Sequence, residues 1–178
     1  MSEDIINARR LMMKCANIAD NISEQYIVRA VMSGILPVQS AAKLLAPVND
    51  GELRGSIRKK VEKTAYGARG EVYTNKAYAA YVELGTGPTG AENHAGISPF
   101  ISPVYTLSPW WIHESQMEPE TAEKYHWFYI DTPDGRFYQC TGQAAQPFMY
   151  PALKNNEDEA VRRISVYLAR KIKEETNK

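Results

Sequence analysis

Residues 56–75 read SIRKKVEKTAYGARGEVYTN. Within this stretch the spacing of the apolar residues changes from the helical spacing of the preceding segment to an alternation with charged residues. Ile57 and Val61 alternate with charged side chains, which is typical of a strand with one face in water. Residues 66–70 supply the glycines of a turn, and residues 71–75 predict the returning strand. A β-hairpin is therefore expected at this point, and the flanking segments decide what packs on it.

The segment before the hairpin is helical by its pattern. Apolar residues recur at steps of three and four over residues 3–33, which predicts a long amphipathic helix. Gly34 and Pro37 predict that this helix stops there. A second helical piece is expected over residues 38–45, followed by a turn and a very short helix through Arg54.

The segment after the hairpin has weaker signals. Residues 76–84, KAYAAYVEL, are compatible with either a helix or a strand. Residues 85–126 have no sustained period and predict a long irregular excursion, which is typical of loops that bind. Residues 127–140 predict a second hairpin, with the turn at 133–135 (Pro-Asp-Gly).

The C-terminal part contains an aromatic segment and a helix. Residues 147–151 are bracketed by prolines and predict an extended segment. Acidic residues 157–159 open a final helix, in keeping with the helix dipole. Its apolar stripe is formed by Val161, Ile164, Leu168 and Ile172.

These elements predict an α+β fold. A small antiparallel sheet would be packed by a long N-terminal and a C-terminal helix, with a long irregular insert and an extra β-hairpin. The chain of 178 residues fits a single domain, 1–178, with the insert at about 88–143.

Composition excludes several classes of protein. Apolar residues make up 44% of the chain, and no run approaches the roughly 18 apolar residues of a membrane span. The first ten residues lack the apolar core of a signal peptide. Two cysteines, Cys15 and Cys140, do not form a disulfide scaffold, so folding in a reducing compartment is expected and secretion is not.

Charge is balanced overall but uneven locally. The chain has 21 basic and 21 acidic residues, which argues against a domain devoted to gripping nucleic acid. Residues 52–63 carry a net charge of +3 and residues 88–143 a net charge of −5. This division suits contact between unlike surfaces of neighbouring subunits, and two solvated faces are the alternative. A nucleic-acid-binding interpretation would use Arg54, Arg58, Lys59 and Lys60.

One motif favours a nucleotide-binding enzyme. Gly85, Gly87 and Gly90 form G-x-G-x-x-G, the fingerprint of a dinucleotide-binding turn. That turn needs a buried parallel strand before it and a helix after it. Pro88 lies inside the motif, and the residues that follow are broken by glycine and proline, so a plain glycine-rich turn is the preferred interpretation.

Other catalytic and metal-binding patterns are missing from the sequence. The three histidines are His94, His113 and His126, and with Glu92 or Glu114 they match no zinc-ligand spacing. No serine lies in a nucleophile elbow and no P-loop is present. We therefore predict no catalytic residue, no cofactor and no metal.

Aromatic residues concentrate in and after the excursion, where carboxylates are also frequent. This mixture suits contact with another protein better than nucleic acid, and a hairpin that covers its own core is the open alternative. The residues are Tyr105, Trp110, Trp111, Tyr125, Trp127, Phe128 and Tyr129.

Three segments together resemble a known family. They are AKLLAPVNDGELRGSI (42–57), YAAYVELGTG (78–87) and GQAAQPFMYPAL (142–153). In this order and spacing they resemble the neck or tail-completion minor tail proteins of long-tailed phages, the type of gene product ten of phage Hong Kong 97. The resemblance covers most of residues 38–178. Pro37, within the helical region, and the long insert depart from the family pattern.

The resemblance implies a structural role in the virion and no enzymatic activity. It implies a ring of identical subunits between the head-completion (connector) protein and the tail terminator or tail tube protein. The protein would be made in the bacterial host cytoplasm and become part of the virion. Weak nonspecific contact with DNA in the channel is expected, and a membrane partner is not. The matching fold and assembly positions are Pro47, Gly51, Leu53, Ser56, Tyr78, Glu83, Gly85, Thr86, Gly87, Pro147, Phe148 and Pro151.

Glu83 lies beside the glycine-rich reversal at 85–87. Its carboxylate is expected to cap local N–H groups or to pair with a basic residue of 52–63, and a solvated carboxylate is the alternative.

Overall fold

The computed structural model describes residues 12–13, 25–49 and 51–177. The chain divides into two compact units. Unit 1 comprises Met1–Asn75 and Pro151–Lys178, and unit 2 comprises Lys76–Tyr150. Unit 2 thus contains the whole of the predicted insert.

Unit 1 combines a hairpin with helices, and unit 2 combines a three-stranded sheet with short helices. The elements of unit 1 are α1 (Ile27–Leu45), α2 (Glu52–Ser56), β1 (Arg58–Thr64), β2 (Gly67–Tyr73) and α7 (Glu157–Thr176). The elements of unit 2 are α3 (Ala79–Leu84), α4 (Gly87–Glu92), β3 (Trp110–His113), a 3₁₀ turn (Glu114–Gln116), α5 (Pro119–Tyr125), β4 (Tyr129–Thr132) and β5 (Gly135–Cys140). Helix α6 (Met149–Lys154) crosses the sequence boundary between the units. The predicted α+β fold, with small antiparallel sheets and a long C-terminal helix, is confirmed.

The predicted central hairpin is present. Strands β1 and β2 pair antiparallel with Val61 opposite Gly70. The turn is shorter than predicted, because β2 already begins at Gly67. Gly70 is needed for packing: a Cβ there would lie 2.6 Å from Ile35 Cγ2 and 2.8 Å from Val31 Cγ1. Helix α1 therefore lies directly on this face of the hairpin.

The predicted stop at Gly34 and Pro37 is wrong, because α1 runs through both residues to Leu45. Gly34 is buried, and a Cβ on it would lie 2.7 Å from Ile164 Cγ1 and 3.0 Å from the Ala160 carbonyl oxygen of α7. The glycine thus allows close approach of two helices, whose packing offsets the hydrogen bond that Pro37 cannot donate. Of the predicted helix over 3–33, residues 3–11 and 14–24 lie outside the described residues.

This contact predicts opposite effects for two glycine-to-alanine substitutions. Gly34→Ala is expected to lower the free energy of unfolding by about 1–3 kcal/mol, because overpacking outweighs the better helix propensity of alanine. Gly55→Ala in α2, where nothing lies within 4 Å of the new Cβ, is expected to raise it by about 0.4–1 kcal/mol. Urea titration measures both values. Equal effects of the two substitutions would contradict the close helix contact.

The final helix, α7, begins at Glu157 as predicted. Of its predicted apolar stripe, Ile164 and Leu168 are half-buried, whereas Val161 and Ile172 are exposed. No residue of this 20-residue helix is fully buried. The reason is that, within unit 1, α7 packs along α1 on one side.

The second predicted hairpin, β4–β5, is confirmed, with Thr132 opposite Gly135 across the Pro-Asp turn. Strand β3, which the sequence did not predict, pairs with the other edge of β5 to complete a sheet of order β3-β5-β4. The predicted excursion over 85–126 is therefore too long, and its irregular part is residues 93–109.

Two ambiguous segments are helical. Residues 79–84 of the helix-or-strand segment form α3. The extended conformation predicted for residues 147–151 is wrong from Met149 onward, where α6 begins. The first N–H groups of α6 bond to a carboxylate that is distant in sequence. The local sequence pattern therefore could not indicate that a helix begins at Met149.

Candidate functional site

The first motif block shapes the connection between α1 and the hairpin in unit 1. Pro47 lies in this connection, and Gly51 has φ of 85° at the start of α2, a conformation that favours glycine. Leu53 is buried. The buried Ser56 hydroxyl donates 2.7 Å to the Leu53 carbonyl and lies 2.5 Å from Thr74 Oγ1. All four motif positions therefore shape one turn.

A glutamine in α1 extends this arrangement to the hairpin. Gln39 Nε2 donates 3.0 Å to the carbonyl of the fully buried Ile57, and Gln39 Oε1 accepts 2.7 Å from Lys59 Nζ. Sequence reasoning did not identify Gln39, because its partners lie 18 and 20 residues away.

The basic residues of the hairpin are largely matched by carboxylates. Lys60 Nζ lies 2.9 Å from Glu62 and 3.0 Å from Glu71, and Arg69 also contacts Glu71 at 2.9 Å. Hydrogen bonds with these carboxylates raise the pKa of Lys60, and the bond from Lys60 lowers the pKa of Glu62. Lys59 donates to Gln39. Of the four basic residues considered for nucleic-acid binding, Arg54 and Arg58 are therefore the two exposed cations that have no carboxylate or amide contact in the described part of the chain.

The second and third motif blocks meet in unit 2 through Glu83. Its Oε2 accepts hydrogen bonds from the backbone N–H groups of Phe148 at 2.7 Å and Met149 at 2.9 Å, and its Oε1 accepts from Tyr150 at 3.0 Å. The carboxylate thus caps the start of α6, whose first N–H groups have no partner within the helix. Glu83 therefore caps N–H groups as expected, but the expectation that these groups are local is wrong, because they lie 65 to 67 residues away.

The same two blocks are joined by backbone pairing. Thr86 and Gln143 form an antiparallel bridge, with Thr86 N donating 2.9 Å to Gln143 O and Gln143 N donating 3.1 Å to Thr86 O. Gln146 N donates 2.8 Å to Val82 O. The two ends of the predicted 88–143 insert are thereby held together beside Phe148, whose side chain is fully buried. Pro147 immediately precedes this residue, and Pro151 lies in α6.

The glycine-rich turn uses its N–H groups internally. Gly85 N donates to Tyr81 O at 2.9 Å, Thr86 N to Gln143 O at 2.9 Å and Thr89 N to Thr141 O at 3.0 Å. A Cβ on Gly87 would lie 2.6 Å from Thr141 O. Because these donors already have carbonyl partners and a helix, α3, precedes the turn, the geometry does not suit a phosphate-binding turn.

An uncharged groove lies beside this turn, with a volume of about 730 Å³. None of the described residues that line it is charged. Its aromatic walls come from Tyr78, Tyr81, Tyr105 and Trp110. The Tyr105 hydroxyl donates 2.7 Å to the Leu84 carbonyl, which fixes one wall.

The histidines have structural contacts. His94 stacks on Tyr105 with ring centroids 5.6 Å apart, and its Nδ1 lies 3.0 Å from Gly90 O. His113 Nε2 lies 3.0 Å from Asp134 O, and its ring meets Phe137 edge-on. His126 has a positive φ of 49°. Among the described residues no group of His, Cys, Asp and Glu could hold a metal ion.

The cysteines have no paired partner in the described chain. Cys140 is a buried free thiol in β5, and Cys15 lies outside the described residues. In residues 12–13, 25–49 and 51–177, no helix is both long enough and apolar enough to cross a bilayer.

The three-stranded sheet has two different faces. On one face, Arg136 Nε lies 2.7 Å from Asp131 Oδ1 and its guanidinium lies 4.0 Å from the centroid of the Tyr129 ring. These contacts raise the pKa of Arg136, chiefly through the bond to Asp131. The other face carries Trp111, Phe128 and Ile130, which are 42%, 62% and 41% exposed. The hairpin therefore does not cover these side chains.

Sequence reasoning also missed a basic surface on α7. Residues 160–173 contain five basic residues and no acidic one. The Glu159 carboxylate accepts hydrogen bonds from the guanidinium groups of Arg162 and Arg163, each at 2.7 Å. These hydrogen bonds lower the pKa of Glu159 to about 2. Helical spacing could have found this surface, because Arg162, Arg163 and Arg170 lie three or four residues from Val166.

The described residues form exposed surfaces and structural connections. Among them, no nucleophile, general base and oxyanion donors lie together as in a catalytic site. No curated protein and no solved structure matches the chain significantly. Residues 9–85 match the family described as "Bacteriophage HK97-gp10, putative tail-component", which includes the first motif block and most of the second. The resemblance found in the sequence is thereby confirmed over residues 9–85, which are similar to the phage tail components of the HK97 gp10 type.

Proposed function

We propose that this protein completes the neck or tail of a phage particle, as a ring of identical copies that joins the capsid connector to the tail tube. The observation that carries the proposal is the family match over residues 9–85. A tail component of this family is a structural part of the virion, and the proposal adds its place and its way of assembling.

Two structural features support an assembly role. The motif residues that the resemblance assigns to fold and assembly shape a turn in unit 1 and a closed connection in unit 2, where Glu83 holds residues 148–150. Charge is divided between the units: unit 1 has 18 basic and 13 acidic residues, and unit 2 has 3 and 8. Opposite net charges favour contact between unlike surfaces of adjacent copies, which generates a ring when the rotation closes.

The partners follow from this placement. One rim of the ring would meet the head-completion or connector protein, and the other the tail terminator or tail tube protein. DNA passing through the channel would meet exposed cations such as Arg54 and Arg58, whose contact would be weak and nonspecific.

Particles produced without this gene test the proposal. We expect DNA-filled heads and separate tails in electron micrographs, and recovery of joined particles when the gene is supplied from a plasmid. Joined virions in normal numbers without the gene would contradict it.

A further inference from the structure

The exposed face of the three-stranded sheet has the chemistry of a docking surface. Trp111, Phe128 and Ile130, here called the aromatic face, share one side of the sheet because they are in register with Gln139 and Phe137 of β5. The rings of Trp111 and Phe128 contact each other, with centroids 6.1 Å apart. Such a contiguous exposed apolar surface is typical of protein interfaces.

Two carboxylates lie at one end of the sheet that carries the aromatic face. The strand residues on this face include no Asp, Glu, Lys or Arg, because Asp131 and Arg136 pair on the opposite face. Glu114 and Asp134 lie where β3 ends and where β4 turns into β5, and both are exposed. An apolar centre with a charged rim is the usual anatomy of an interface.

The complementary chemistry lies on α7 in unit 1. Val166, which is 58% exposed, has Arg162 and Arg163 one turn before it, and Arg170 and Lys173 one and two turns after it. We call these five residues the basic face. They lie on the side of the helix opposite Ile164, which is close to Gly34 of α1.

We infer that the aromatic face of one copy docks onto the basic face of the next copy. The inference rests on the proposed ring and names the surfaces that build it. Net charges of −5 on unit 2 and +5 on unit 1 bring these surfaces together, and guanidinium groups stack on exposed aromatic rings. The chain already contains this contact in Arg136 over Tyr129.

The basic face suits a protein better than DNA. Glu159 neutralises part of Arg162 and Arg163, and Glu174 contacts Arg170 at 3.7 Å, so the face is not a continuous row of free cations. Phosphate binding would require those cations to be available. The valine at the centre instead offers apolar area to the rings of the aromatic face.

Two surface variants of the full-length chain test the inference by sedimentation over a range of concentrations. Phe128→Asp replaces the most exposed ring of the aromatic face, and Val166→Asp combined with Lys173→Glu replaces the apolar residue and one cation of the basic face. Each is expected to weaken self-association at least ~10-fold, because a few residues of an interface dominate its affinity.

Matched controls separate the docking surfaces from general effects of charge and apolar area. Phe100→Asp changes another exposed phenylalanine of unit 2, which is 92% exposed. Val48→Asp with Arg58→Glu introduces the same charge change elsewhere on the exposed surface of unit 1. Both controls are expected to associate within about threefold of the natural chain.

Mixing the two defective variants gives the decisive result. Each retains the surface that the other lacks, so an equimolar mixture is expected to form a complex of one copy of each and nothing larger. No complex in the mixture would overturn the inference, as would equal weakening by the controls. A photo-crosslinker at position 128 that reacts within its own chain, or with a head or tail protein instead of α7 of another copy, would also overturn it.

The outcomes distinguish the inference from the proposed function. If the natural chain self-associates and both surface variants associate normally, the surfaces are wrong while the ring proposal stands. If the natural chain does not self-associate and joined virions form without the gene, the proposed function itself is contradicted. If the basic-face variant loses only DNA binding, the basic face serves nucleic acid and the inference is wrong.

Discussion

Replacing Phe148 with alanine is expected to lower the free energy of unfolding of unit 2 by about 3–5 kcal/mol, the range for removing a fully buried phenylalanine ring. The side chain has no exposed surface and follows directly after Pro147, next to the backbone groups that Glu83 holds. Removal of a fully buried ring leaves a cavity, whose cost adds to that of the lost apolar burial. A loss of this size is a large part of the stability of a small domain.

Tryptophan fluorescence during urea titration measures this effect selectively, because all three tryptophans lie in unit 2. Phe100→Ala is the control: this side chain is 92% exposed, and its removal is expected to change the free energy of unfolding by less than about 0.5 kcal/mol. Similar values for the two variants would show that Phe148 is not a core residue.

Replacing Glu83 with alanine is expected to lower the free energy of unfolding by at least about 2 kcal/mol, because hydrogen bonds to a charged group are among the stronger ones. The substitution leaves three N–H groups, of Phe148, Met149 and Tyr150, without their acceptor. Glu83→Gln retains one carbonyl oxygen and is expected to lose less. The order of stability is therefore natural chain, Gln variant, Ala variant.

Amide hydrogen exchange distinguishes a local loss of the Glu83 contact from a general loss of stability. The amides of residues 148–150 are expected to lose protection in Glu83→Ala more than the amides of β5, which pair within the sheet. Glu92→Ala removes an exposed carboxylate of the same unit and is expected to leave all of these amides protected. Unchanged protection at 148–150 in Glu83→Ala would contradict the capping contact.

Local patterns predicted the hairpins well. The Pro-Asp-Gly turn and the alternation in residues 56–75 depend on neighbouring residues alone, so β1–β2 and β4–β5 were found within a few residues of their observed bounds. The start of α7 was found for the same reason, because acidic residues at a helix N-terminus are a local signal.

The errors share one cause. Gly34 and Pro37 usually end a helix, but α1 continues because Gly34 fits against α7. Strand β3 lacks an alternating pattern and exists as the third strand because β5 offers it a free edge. Helix α6 begins at Met149 because of Glu83.

The candidate site shows the same division. The three blocks of sequence indicated the family to which residues 9–85 are similar and drew attention to Glu83, Thr86 and Phe148. They did not predict that two of the blocks meet. The basic face of α7 was present in the sequence as spacing, and its role as a surface depends on which side of the helix α1 covers.

Periodicity, turn chemistry and the sign of charge are properties of residues close together along the chain. These properties predicted the mixed fold, both hairpins and the last helix, and short blocks of sequence indicated the similarity to the tail-component family. Contacts across tens of residues determined the rest: the unbroken α1, the third strand, the cap from Glu83 and the sides of α7 and the sheet that remain exposed. A local preference is worth about 1 kcal/mol for glycine and about 3 kcal/mol for proline inside a helix. Buried packing contacts, and several hydrogen bonds to a half-buried carboxylate, are of the same size or larger.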